Sequence, residues 1–194
     1  MDKICKRSEL LRAAQEIIAL NGFHGAPTAL ISERANVAAG TMYRYFESKD
    51  ALIHEVFRHL EERFFRSIME AYPAGRSIRE RFIHIGKIFI HHCLTFPMDF
   101  RFLEQFHNSP YGVVHRRDKM LAEQGSDIMR DLFDEARRRR VTKDLPNPIL
   151  FALAFGPLLD IVRDHILGFI ALDEGLIEST LDACWDAVKF AGED

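Results

Sequence analysis

Four side chains able to hydrogen-bond a polyanion fall within five residues: Thr41, Tyr43, Arg44 and Tyr45. Their hydroxyls and guanidinium suit phosphate oxygens and base edges. Just ahead stand Ala38, Ala39 and Gly40, small enough for a backbone to approach a phosphate closely. If residues 39–46 form a short helix, its first N–H groups and its dipole favour an anion at that end. Met42 and Phe46, four residues apart, are expected to face inward. Other chemistry is poorly represented. His54-Glu55-x-x-x-His59 misses the zinc-protease spacing, because histidines five apart lie roughly 140° around a helix. G-x-S-x-G, P-loop and G-x-G-x-x-G motifs are missing from the sequence, so no enzyme, cofactor or metal is expected.

The elements that must position the polar cluster carry a helical period. Residues 3–20 place Leu10, Ala14, Ile17 and Ile18 on one face and stop at Asn21-Gly22. Thr28 is expected to cap a short helix running to about residue 35, with Ile31 and Ala35 inward. Asn36 tolerates the left-handed conformation of a tight turn. Two short helices around such a turn make a helix-turn-helix, whose second helix enters the major groove. Ser48 then caps a long helix striped by Leu52, Val56, Leu60, Phe64 and Ile68. Pro73-Ala74-Gly75 breaks the pattern. Helical periods resume at about 77–94, 100–107, 111–140 (one long helix or two joined), 149–170 and 174–190. With no alternating strand pattern, the fold class is all-α with about nine helices.

Composition bounds the function. Of 194 residues, 47% are apolar and 28% charged, which excludes disorder as the main state. The net charge of −3 argues against coating nucleic acid by bulk charge. The sign is uneven: residues 1–50 carry seven basic and six acidic groups, whereas the remainder is net −4. Cys5, Cys93 and Cys184 are too few and scattered for a disulfide scaffold, which suits a reducing compartment. The longest apolar run, residues 149–159, is too short to span a bilayer, and the N-terminus has no apolar signal core. The expected location is cytoplasmic.

The stretch Thr28-x-x-Ile31-x-x-x-Ala35-Asn36-Val37-Ala38-Ala39-Gly40-Thr41-Met42-Tyr43-Arg44-Tyr45-Phe46-x-x-Lys49-x-x-Leu52 resembles the TetR family of bacterial transcriptional regulators. Leu11-x-Ala13-Ala14 and Gly22-Phe23 fit the same family's first helix. Asn36 stands where the family usually has Gly, and Ala38 where it often has Ser or Thr. The resemblance implies a DNA-binding part over residues 1–50 and a ligand-binding and dimerisation part over 51–194. It implies that Thr28, Lys49 and Tyr43 touch phosphates and that Thr41 and Arg44 face bases. Ala39 and Gly40 would permit close approach, Tyr45 could take either role, and Lys3, Lys6 and Arg7 could add contacts. Backbone N–H groups would serve in place of a side-chain cap at Ala38.

In the larger part, nine of sixteen phenylalanines lie between residues 57 and 106. They could fill a solid core or enclose an apolar cavity. The resemblance favours a small-molecule pocket bounded by Phe64, Ile68, Phe82, Phe89, Phe102 and Phe106, with His84, His91, His92, His107 and Arg101 as polar groups. Residues 149–159 are apolar almost all round, and the last helix, with Ile177, Leu181, Cys184, Trp185 and Val188, has the same surplus. A two-fold homodimer joined through both helices, at Leu159, Leu181 and Trp185, would cover it. Arg137 to Arg140 are read as dipole complement and solvated charge. The expectation is a ligand-responsive repressor, released from a palindromic DNA operator by a small apolar or aromatic molecule, with no membrane partner. The alternative is an all-α small-molecule sensor or protein-interaction module that does not bind DNA.

Overall fold

The computed structural model describes residues 3–38, 40–121 and 127–190. Among them are nine α-helices and one 3-10 turn. Extended pairing among them is limited to one antiparallel bridge, Thr142 with Lys189. The chain divides into two compact units: residues 1–65 with 96–123, and residues 66–95 with 124–194.

The first unit contains α1 (Lys3–Asn21), α2 (Thr28–Arg34), the 3-10 turn (Thr41–Arg44), the start of α3 (Lys49–Met69), α5 (Pro97–His107) and α6 (Pro110–Leu121). Ser48 caps α3, its Oγ accepting from the Ala51 N–H at 3.0 Å. The apolar stripe of α1 meets Ile31, Ala35, Met42, Phe46, Leu52, Val56 and Leu60 in one core. Phe102 and Phe106 of α5 complete it, both fully buried. Phe106 stacks on Phe57 with centroids 4.0 Å apart, a geometry that adds about 0.5–1.5 kcal/mol beyond area burial. A buried polar link crosses the same packing. The carboxylate of Asp99 on α5 accepts from Gln15 Nε2 of α1 at 2.6 Å and pairs with Arg63 of α3. Burying that carboxylate is tolerable only because both partners are present.

The second unit contains α4 (Ile78–Thr95), α7 (Ile128–Arg138), α8 (Asn147–Ile166) and α9 (Glu174–Val188). The pattern read over 111–140 is thus two helices, α6 and α7. Ser77 and Glu80 open α4 with reciprocal bonds, a capping box. Asp127 caps α7 and Asp173 caps α9. α4 and α9 approach closely because position 86 is glycine; a Cβ there would run into the Leu181 side chain. Phe82, Phe155 and Trp185 pack together, with centroids 5.3 Å and 5.2 Å from Phe82. The chain after α9 is strapped to the loop before α8: Lys143 N donates to Val188 O and Phe190 N to Val141 O, both at 2.9 Å.

Candidate nucleic-acid interface

The polar cluster sits on a turn whose shape follows from two left-handed residues. Asn36 has φ 52° and closes α2. Its N–H donates to Glu33 O and the next N–H, Val37, to Ser32 O, both at 2.9 Å. Those paired bonds form a Schellman closure, which needs a left-handed residue at the position Asn36 occupies. Gly40 has φ 82°, a conformation that cannot lie inside a right-handed helix. The helix expected over residues 39–46 is therefore a four-residue 3-10 turn, Thr41–Arg44. Two of its N–H groups are already engaged within the turn. Thr41 N donates to Ala38 O at 2.9 Å and Tyr43 N to Gly40 O at 3.1 Å.

The core sets which side chains point outward. Met42 is fully buried and Phe46 nearly so. With these two sunk, Tyr43 is left 58% exposed and Arg44 is exposed beside it. Arg44 has no ion pair among the described residues, unlike Arg34, which pairs with Glu16 at 2.7 Å. Thr41 is half-buried, and Tyr45 packs against the core edge. Ala39 lies outside the described residues.

Thr28, Lys49 and Arg7, all expected at the DNA, each have a place in the fold as well. Thr28 is the first residue of α2, not its cap; extended Pro27 occupies the cap and no side chain bonds there. Proline's fixed φ already directs the chain into the helix, so the threonine hydroxyl is not needed for it. Lys49 donates its ammonium to Phe23 O at 2.6 Å, pinning the loop after α1 to the start of α3. Burial lowers the Lys49 pKa, opposed by the neighbouring Asp50 charge. Arg7 lies 5.1 Å from the Phe46 ring centroid and pairs with Glu55 at 2.6 Å, so it steadies the end of the turn from within. The Glu55 carboxylate is also engaged by Arg58 and lies 3.5 Å from His59, so within His54-Glu55-x-x-x-His59 the carboxylate serves arginine ion pairs. No set of three or more metal-ligating side chains is assembled among the described residues.

Residues 10–56 match the family described as "Bacterial regulatory proteins, tetR family", and residues 77–189 match "Tetracyclin repressor-like, C-terminal domain". The chain belongs to the TetR family. It is accordingly a helix-turn-helix, DNA-binding regulator of transcription. A TetR-family transcriptional regulator of Vibrio parahaemolyticus is similar in structure, with TM-score 0.76, 28% identity and coverage of 95% of this chain and 98% of its own. One from Marinobacter aquaeolei VT8 has TM-score 0.85 at 23% identity, covering 97% of both chains. An uncharacterized HTH-type transcriptional regulator of Haemophilus influenzae is 21% identical over 182 residues, 93% of this chain and 94% of the relative.

The other expected sites are distributed over both units. Phe64, Phe102 and Phe106 belong to the first unit, whereas Ile68, Phe82 and Phe89 belong to the second. Phe102 and Phe106 are packed in the core behind the turn. Phe82 is likewise buried against Phe155 and Trp185. Of the expected dimer residues, Leu159 is 36% exposed. Leu181 and Trp185 are buried within their own chain, so neither is available to a second copy. Sequence reading missed the residues that hold the turn from behind: Asp99 with Gln15 and Arg63, Tyr111 with Asp50, and Arg7 over Phe46. Their partners lie 36 to 84 residues away, and no short-range pattern marks them. No helix among the described residues is long and apolar enough to cross a membrane.

Proposed function

We propose that the chain is a repressor that grips a palindromic operator as a homodimer and lets go when its second unit binds a small apolar or aromatic molecule. The observation that carries the reading is the turn itself: Met42 and Phe46 anchor it while Tyr43 and Arg44 face solvent. Arg44 reads a base edge, with Thr41 beside it and Gly40 and Ala39 giving clearance. Tyr43 and Thr28 meet phosphates, and Lys49 does so with the ammonium protons its bond to Phe23 leaves over. Tyr45 backs the turn. Two such turns on a two-fold axis fit half-sites about one helical turn apart, ~34–36 Å.

The dimer reading rests on α8. Ile149, Leu153, Gly156 and Leu159 follow at steps of four, three and three residues, along one side of the helix. The three large side chains are exposed, and a Cβ on Gly156 would meet open space. A second α8 is the occupant that two-fold symmetry supplies at no cost in extra sequence. The functional boundary falls near residue 50, with 51–194 serving effector and partner. The effector is held by the second unit, where α4 carries His84, His91 and His92 as polar groups. Retention of fragments from the organism's own genome tests the reading: the wild-type protein should select one palindromic sequence. Retention of no DNA, or of all fragments alike, would overturn it.

A further inference from the structure

We propose that Tyr111 is a positioning residue for DNA binding, whose phenol hydroxyl holds the Asp50 carboxylate away from the phosphate that Lys49 approaches. The inference rests on the reading of the α3 start as a phosphate-facing end. Lys49 and Asp50 are the first two residues of α3, so an anion and a cation share one helix end. The carboxylate is useful there to the fold, since an acidic group in a first turn complements the helix dipole. For binding it is a liability, because a charge near a phosphate repels it by about 1 kcal/mol at ~4 Å even in water, or about fivefold in affinity.

The structure supplies a tether. Tyr111 at the start of α6 donates its hydroxyl to Asp50 Oδ1 at 2.5 Å. Its ring is fixed by three neighbours: Phe23, His54 and Phe106, with centroids at 5.0, 5.6 and 6.1 Å. Phe23 serves both residues of the helix start, because its carbonyl takes the Lys49 ammonium at 2.6 Å. The lysine and the aspartate are thus drawn to separate anchors. Burial, together with the bond to the Asp50 carboxylate, pushes the Tyr111 phenol up to about 12, so it stays a donor at any working pH.

The test uses the full-length protein, a random-sequence duplex and fluorescence anisotropy over a series of salt concentrations starting low, with four proteins in a cycle. Tyr111→Phe keeps the ring and its packing. It should melt as the wild type does but bind about fivefold more weakly, with the loss shrinking as salt screens the freed carboxylate. Asp50→Asn removes the charge and should bind as tightly as the wild type or tighter. In the Asp50→Asn background, Tyr111→Phe should change nothing. An equal loss in both backgrounds would show that Tyr111 acts on DNA or on the fold directly, and would overturn the proposal. So would an unchanged affinity for Tyr111→Phe alone. If Tyr111→Phe does not fold, Asp50→Asn decides by itself: weakened binding contradicts the proposal. Wild-type protein that fails to bind the duplex at all overturns the interface reading and the Tyr111 role with it, an outcome distinct from the others.

Discussion

The recognition turn and α8 both leave large side chains outside, but of opposite chemistry. The turn buries its apolar members and displays a phenol and a guanidinium. Along α8, Leu150, Ala154, Leu158 and Val162 are buried, yet Ile149, Leu153 and Leu159 are still left outside. A polar display suits a hydrated polyanion, whose contacts are hydrogen bonds and charge. An apolar display is stable only when something apolar covers it. The difference teaches that outward-facing residues must be read by what the same element has already buried.

The comparison breaks most severely if the support behind the turn is removed. Phe106→Ala should cost about 3–5 kcal/mol, the usual range for emptying an aromatic core site, and denaturant unfolding would record it. A residue of an effector pocket would instead cost little stability and change effector affinity. Charges on α8 come next. Leu153→Asp with Leu159→Asp should leave a folded chain but raise the dimer dissociation constant at least about a hundredfold, because an uncompensated charge would be buried. Sedimentation at micromolar concentration measures it. A wild-type monomer under those conditions would break the α8 half of the comparison.

Glycines sharpen it further. Gly86→Ala places a methyl against Leu181 and should destabilise by about 1–3 kcal/mol. Gly156→Ala meets nothing within the protomer, so the isolated chain should melt no lower than the wild type. On the turn's side of the comparison, the smaller effect belongs to Lys49→Ala. It should weaken specific and random DNA alike, by about tenfold or less, and reduce the salt slope by about one. A loss confined to the specific sequence would place Lys49 among the base readers.

Much of this was legible in the chain. Asn36 as the left-handed closure, Ser48 as a cap, and Met42 with Phe46 as the inward pair all follow from local rules. The length of the recognition helix was not, because a glycine in sequence signals small size but does not by itself reveal the left-handed backbone that Gly40 adopts. Thr28 misled in a similar way: a threonine before a helix usually caps it, but Pro27 had already set the entry. Phe102, Phe106, Leu181 and Trp185 show the general limit. Periodicity reveals that a face is apolar but not which surface covers it, and their neighbours come from distant segments. Tyr111 and Asp99 act through single long-range bonds that leave no periodic trace.

The central claim is that the exposed turn reads sequence through Arg44. The direct measurement is the affinity of wild type and Arg44→Ala for the retained genomic fragment, for its single-base variants and for a random duplex, all at one salt concentration. A bidentate contact to guanine discriminates by about 1–3 kcal/mol. Arg44→Ala should therefore lose preference at one base position in each half-site while keeping most of its affinity for random DNA. Equal losses on specific and random duplexes would contradict the account and reduce Arg44 to a charge facing the backbone.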